Sequence, residues 1–318
     1  MSSDVTVSNR PTDAFKTFPE FSKLTFADRE AYQKLIAAYP PVDDISFPSL
    51  MTWWNSFNNA AVALLNGNIV LSYWLPGMEQ YSGLAIVGNR KVDESICTLF
   101  DAMIADKKQP RLVHVPEFTV SSLEHPELFT ITPMSEFDEY IVSLANLSDL
   151  SRMTSVQLKR IEAFARQTAT KRVSVRTLDL ANDADLRLLR QGLDSWSRTT
   201  KGNNFSQFSD NNVNEVFERA SMLGTKNLCL FVDDELQCFT FYDLTHDNRY
   251  ANIGNIRVND RYPYTFDYAN HVFAKVMAGQ GMQFANISHD LGLQRLRSLK
   301  LSLRPVSYFR KYIIEPAA

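Results

Sequence analysis

The residues best suited to chemistry lie near the C-terminus, in the run Asn286-Ile-Ser288-His289-Asp290-Leu-Gly292. An imidazole, with an unperturbed pKa of about 6.5, exchanges protons near neutrality, and a neighbouring carboxylate can bind an ammonium group. His289 and Asp290 are therefore the catalytic candidates, with Asn286 and Ser288 as polar groups beside them. A single histidine at a strand end is also commonly only hydrogen-bonded, so the corner has a plain structural alternative. Just beyond it, Arg297, Lys300 and Arg304 recur at helical spacing next to a stripe of Leu296, Leu299 and Leu303. One face is expected to anchor in a core while the next offers cations for phosphate. The alternatives are an ordinary solvated face and an Arg297–Asp290 pair that serves only the fold.

These residues need a rigid support. Phe284 to Ile287 reads as an apolar strand, Ser288 to Asp290 as a polar corner, and Gly292 as a turn. A short helix follows, stopped by Pro305, and then a closing strand from Val306. Polar corners at the carboxyl ends of buried strands are where α/β sheets place ligand chemistry. Upstream, Tyr250 to Val258 reads as a strand and Phe266 to Ala278 as a helix ended by Gly279 and Gly281.

The corner also carries a resemblance. Asn286-Ile-Ser-His-Asp290-Leu-Gly292-Leu, then Leu296-Arg297, Lys300, Arg304-Pro305-Val306 and Lys311-Tyr312, resembles the C-terminal signature of the phosphatidylglycerol lysyltransferase C-terminal-like family. Weaker matches are Ile45-Ser46-Phe47, Trp54, Phe137-Asp138-Glu139-Tyr140, Asn146-Leu147-Ser148 and Lys159-Arg160. The resemblance implies an α/β (α+β) fold of two tandem GNAT-like domains, each a mixed, mostly antiparallel sheet flanked by helices. It also implies a transferase that moves an aminoacyl group from aminoacyl-tRNA to a lipid headgroup or small-molecule acceptor. One departure stands out: Ser288 replaces an acidic residue common in the family, while Arg257 supplies its usual basic residue.

Coenzyme A-dependent relatives of this fold hold the pyrophosphate on backbone N–H groups of a glycine-rich loop. Here that link is Arg257-Val-Asn-Asp260-Arg261-Tyr-Pro263-Tyr264, which has no glycine and loses a donor at Pro263. Coenzyme A is expected to bind poorly, and neither a cofactor nor a metal is expected. Arg257 and Arg261 could still meet a phosphate or carboxylate, and Asp260 or Asp290 an ammonium. Three readings remain: a soluble aminoacyl-tRNA-dependent transferase, an acyl-CoA-dependent N-acyltransferase with an atypical loop, and a non-catalytic binding module.

At 318 residues two domains are expected, with a polar lead-in over 1–22, a first domain over 23–145 and a second over 146–318. A net charge of −3 excludes no partner and points to local clusters instead. One is the presumed helix from Thr154 to Thr170, whose Lys159, Arg160, Arg166, Lys171 and Arg172 outnumber Glu162. No DNA partner is expected, and oligomeric state is not legible. Cys97, Cys229 and Cys238 lack metal spacing and read as reduced core thiols of a cytoplasmic protein. The N-terminus has no basic-then-apolar pattern, so no signal peptide is expected. The most apolar window, Ala60 to Leu75, is broken at Asn66-Gly67-Asn68, giving a hairpin and no membrane span. Thr25 and Ser46 should open helices, and Trp53 and Trp54 read as core aromatics.

Overall fold

The computed structural model describes residues 14–52, 60–73, 79–199, 204–245, 248–259 and 261–317, leaving the side chains of 195–212 undescribed. Trp53, Trp54, Phe57 and the candidate Asp260 lie outside the described residues.

The chain begins with β1 (Ser22–Lys23), α1 (Arg29–Ile36) and α2 (Phe47–Thr52), then β2 (Ala61–Leu65), β3 (Asn68–Tyr73) and β4 (Gly83–Val87). There follow α3 (Val92–Ala105), β5 (Leu112–Pro116), α4 (Glu117–Val120) and β6 (Phe129–Pro133). The second half runs β7 (Glu139–Ser143), α5 (Leu144–Ser148), α6 (Ser155–Gln167), β8 (Val173–Arg176), α7 (Asp183–Thr199) and α8 (Asn204–Leu223). It continues with β9 (Lys226–Val232), β10 (Glu235–Thr245), β11 (Tyr250–Val258), α9 (Thr265–Gly279), β12 (Phe284–Asn286) and α10 (Gln294–Ser302). The chain closes with β13 (Ser307–Phe309) and β14 (Lys311–Pro316).

Two mixed seven-stranded sheets result, ordered β1-β2-β3-β4-β5-β14-β6 and β13-β7-β12-β11-β10-β9-β8. Compact units form around them: 1–40, 45–137 and 310–318 in one, and 41–44 with 138–309 in the other. The sequence reading draws one boundary at 145/146, whereas the structural division falls at 137/138 and the first sheet takes its strand β14 from the far end of the chain. Two details lie behind the difference. Glu139 to Val142 alternates toward the second core, where Val142 is buried, and pairs with β12 and β13. The expected single closing strand from Val306 is divided at Arg310 into β13 and β14, which join different sheets. β6 was not expected, because Phe129-Thr-Ile-Thr-Pro buries only Phe129 and so shows little apolar pattern.

Local chemistry explains most elements. Asn66 and Gly67 both take positive φ (52° and 82°), the two-residue turn whose twist suits a tight hairpin. Thr25 and Asp28 form a reciprocal capping box, and Thr154 and Gln157 form another at the start of α6. α3 buries Val92, Ile96, Leu99, Phe100 and Met103 on one stripe against the first sheet. α9 likewise buries Ala269, Phe273, Ala274 and Met277 against the second. Cys229 and Cys238 are buried, and burial pushes the Cys229 thiol up to about 12, which removes thiolate chemistry near neutrality.

Candidate active site

β11 and β12 run parallel and pair only through Tyr250–Phe284, Ala251–Ala285 and Asn252–Asn286. β12 then ends while β11 continues to Val258, so the strands part just above Asn252 and Asn286. The chain leaves β12 through a tight corner in which Ser288, Leu291 and Gly292 all have positive φ (60°, 55° and 72°). β7 braces the corner: Ile287 N–H donates to Tyr140 O at 2.9 Å and Tyr140 N–H to Ser288 O at 3.1 Å. Strand alternation turns Ala251, Ala285 and Val142 toward the α9 core and Asn252, Asn286 and Glu139 to the opposite face. On the α9 side the cavity measures only about 10 Å³, lined by Val142, Ile253, Ile256, Ala285 and Ile287 among others, which is room for one water.

Two polar knots hold the corner. In the first, the fully buried Glu139 carboxylate accepts from Asp43 N–H (2.7 Å), Asp44 N–H (3.2 Å) and Asn286 Nδ2 (2.6 Å). Asn286 Nδ2 also donates to Pro41 O at 3.1 Å, and its Oδ1 accepts Ser288 N–H at 2.9 Å. This anchoring of the 41–44 segment brings Asp44 Oδ1 to 3.4 Å from His289 Nε2. A buried carboxylate facing an imidazole fixes its orientation and stabilises the imidazolium that forms when it takes a proton.

In the second knot, Asp290 is fully buried and saturated. Its Oδ2 accepts from Tyr140 Oη (2.5 Å) and Arg297 Nε (2.8 Å), and its Oδ1 from Gly292 N–H (2.8 Å) and Arg297 Nη2 (3.2 Å). Those bonds occupy the lone-pair directions of a carboxylate, leaving none for a ligand ammonium. Burial alone would raise its pKa, but the Arg297, Tyr140 and Gly292 donors outweigh it and hold Asp290 below its ordinary value. Burial first, and then the Asp290 carboxylate, push the Tyr140 hydroxyl up against the opposing effect of Arg297. Asp290 thus fixes the corner, in the pairing with Arg297 that was the structural alternative.

The cationic stripe is similarly engaged. Lys300 Nζ donates to Ile287 O, and Arg304 Nη1 to Arg152 O at 2.8 Å. Arg160 pairs with Asp267 at 3.2 Å, Arg166 with Glu162 at 3.5 Å, Lys171 with Asp233 at 2.7 Å and Arg172 with Asp234. Among the described residues, the exposed cations of these two helices without a carboxylate partner are Lys159, Arg295 and Arg304. Arg257 is half-buried in β11, opposite Phe239, with Nη1 on Ile256 O at 3.4 Å. Before α9, Asn259 N–H donates to Gln237 O (2.7 Å) and Arg261 N–H to Asn259 Oδ1 (3.0 Å), while the Arg261 side chain pairs with Glu235. With Pro263 lacking a donor, these N–H groups are committed within the protein.

The structure therefore brings together Asn286, Ser288, His289 and Asp290 with Arg297 and Lys300, while Arg257 lies on β11 and Arg304 just past the end of α10. Sequence reasoning missed Asp43, Asp44, Glu139 and Tyr140. A signal existed: Glu139 is a carboxylate at an inward position of an otherwise apolar strand. Among the described residues no cluster of three or more His, Cys, Asp or Glu side chains could hold a metal, and no helix is long and apolar enough to cross a membrane.

No protein-family model matches the sequence, and no curated protein matches it. Solved structures do. A conserved protein of unknown function from Bacteroides thetaiotaomicron superposes with a TM-score of 0.75 at 19% identity, covering 93% of this chain and 99% of that one. The C-terminal domain assigned to a lysylphosphatidylglycerol synthetase of Agrobacterium fabrum gives 0.61 at 14%, covering 91% and 92%. L-PGS from Bacillus licheniformis gives 0.53 at 15%, covering 83% of each chain. The chain thus shares its fold with these structures, an α+β arrangement of two mixed seven-stranded sheets flanked by helices, as the sequence resemblance implied. At these identities the likeness establishes fold and leaves chemistry to the site.

Proposed function

We propose that the second unit is an aminoacyl transferase, taking the aminoacyl group of an aminoacyl-tRNA and passing it to the hydroxyl of a lipid headgroup or small-molecule acceptor. The observation that carries this reading is the His289–Asp44 pair at 3.4 Å, held where β11 and β12 part. His289 takes the proton of the acceptor hydroxyl as its oxygen attacks the ester carbonyl carbon. The carbon–oxygen bond to the tRNA ribose then breaks, and His289 returns the proton to the leaving ribose hydroxyl. Asp44 stabilises the imidazolium between the two steps. Asp290, Tyr140 and Arg297 hold the corner in place and are positioning residues.

An aminoacyl-tRNA donor is favoured over an acyl-CoA because the Asn259 and Arg261 N–H groups before α9 are engaged within the protein. Lys159, Arg295 and Arg304 supply cations for tRNA phosphates. The saturation of Asp290 together with the loss of an acid at Ser288 favours a second reading, a non-catalytic binding module.

The test is transfer of labelled amino acids from a set of charged tRNAs to a lipid and metabolite extract. The expected result is tRNA-dependent label in an acceptor, abolished by His289→Ala. Label transfer that survives this change would remove His289 from the mechanism. Binding of charged tRNA without transfer would establish the module, and low-micromolar acetyl-CoA binding would restore the coenzyme A reading.

A further inference from the structure

Asp243, Asn252, Asn286 and Ile141 stand in one row across β10, β11, β12 and β7, each in register with the next. The row lies on the face opposite the α9 core, where the strands pair for the last time before they part. Asn286 is well hydrogen-bonded through both ends of its amide. Its neighbour is different. Asn252 is 0% exposed, and among the described residues neither its Nδ2 nor its Oδ1 has a hydrogen-bond partner.

A closed-off amide with two donors and an acceptor unmet opposes folding, and a branched apolar residue would suit a central strand better. Retaining asparagine therefore makes sense if something outside the chain completes its bonds. The missing partner must offer a hydrogen-bond acceptor and a donor close together. The row supplies Asp243 beside Asn252 and, one pleat along β7, Glu139; it contains no cation. An α-aminoacyl group meets these demands, since its carbonyl oxygen accepts and its ammonium donates.

We propose that Asn252 binds the aminoacyl group of the donor: Nδ2 donates to the carbonyl oxygen, Oδ1 accepts from the α-ammonium, and the acidic row favours the positive charge. The choice of ligand rests on the transferase reading. The geometry places the reactive carbonyl on the strand next to the one that ends in the His289 corner, and makes the α-ammonium a required feature of the substrate. Because the amide is closed off, the face above it opens to admit the ligand.

The experiment uses the full chain and a panel of L-amino acid amides, with no tRNA and no acceptor. Binding is read by calorimetry and by the shift of the Asn252 side-chain NH2 resonances. At least one amide should bind and shift those resonances, and its N-acetylated counterpart, lacking the ammonium, should bind tenfold or more weakly. Asn252→Leu should unfold at the same or a higher temperature, since it removes unmet polar atoms, yet lose about tenfold or more in affinity. Asn252→Ala provides the same affinity comparison if the leucine cannot be accommodated.

The proposal is overturned if no amide binds at millimolar concentration, if the Asn252 resonances do not respond, or if the variants bind as tightly as the wild type. In any of those cases the amide serves a buried water. The two readings separate cleanly. A chain that binds amino acid amides through Asn252 but never transfers upholds this site and sinks the enzyme, whereas transfer with unchanged binding in Asn252→Leu does the reverse.

Discussion

Both units are built on the same plan, yet they use their equivalent strand ends differently. In each, a helix leads into a strand that pairs parallel with the one before it: α3 into β5 beside β4, and α9 into β12 beside β11. In each, the next strand of the sheet comes from far away in sequence, β14 between β5 and β6, and β7 between β12 and β13. Both carry a histidine at or just past that strand. His114, with a positive φ of 54°, lies between Tyr73 and Phe137 at ring distances of 5.3 and 4.5 Å, and its Nε2 meets Tyr81 O at 3.1 Å. His289 faces the Asp44 carboxylate beside buried Glu139 and Asn286. Aromatic walls make a histidine a packing element, whereas a carboxylate gives it a use for a proton. The two histidines sit within β5 and just past β12 respectively, and they are unlike in their surroundings.

That contrast can be broken most sharply by cutting the chain. Removal of residues 311–318 takes β14, including fully buried Ile314, out from between β5 and β6 of the first sheet. A fragment of 146–318 lacks β7 from the second. The deletion should abolish the unfolding transition of the first unit, and the fragment should give neither a cooperative transition nor a dispersed NMR spectrum. If the 146–318 fragment folds, β7 is dispensable and the shared plan is only apparent.

The histidines themselves come next. His289→Ala should lower transfer by about 10²- to 10⁴-fold, the usual range for a positioned proton carrier, with little change in stability. His114→Gln should leave transfer unchanged and act only on the melting temperature. Equal losses of activity would erase the distinction between the halves.

Asp290→Ala should destabilise the second unit by roughly 3–5 kcal/mol, because it strands the hydrogen-bond donors of a buried network. Denaturant titration measures this, and a loss under 1 kcal/mol would show that the corner does not depend on the carboxylate. The same group carries a pH signature. Its folded pKa lies below its ordinary 3.8, so its stabilisation is present above that value and is lost as pH falls through the folded pKa. The wild type should therefore show a steeper acid limb below about pH 4 than Asp290→Asn.

The smallest expected effect concerns the surface. Exchanging Lys159, Arg295 and Arg304 for Gln should make the fall of log tRNA affinity with log salt shallower by about 0.7–0.9 per lost contact. The Arg297→Gln change should instead act on stability, since its guanidinium is the partner of buried Asp290. If Arg297→Gln lowers the salt slope without loss of stability, the stripe does face phosphate.

Features that depend on neighbours along the chain are legible in the residues alone. The Asn66-Gly67 turn needs two positive φ angles, and the Thr154 and Gln157 capping box spans a single turn. Each is a short-range preference that no distant residue had to supply. The sequence also located the corner of Asn286, Ser288, His289 and Asp290, because charged and polar groups after an apolar strand are visible locally. Only the tertiary structure decided what those groups do. Asp44 lies 245 positions from His289, Glu139 147 from Asn286, and Tyr140 150 from Asp290. Strand pairing across such separations sets which carboxylate is saturated, which faces an imidazole, and which amide has no partner. Periodicity reports the face on which a side chain lies and carries no information about the partner waiting there, so the roles of Asp290 and Asp44 became legible only once β7, β11 and β12 stood side by side.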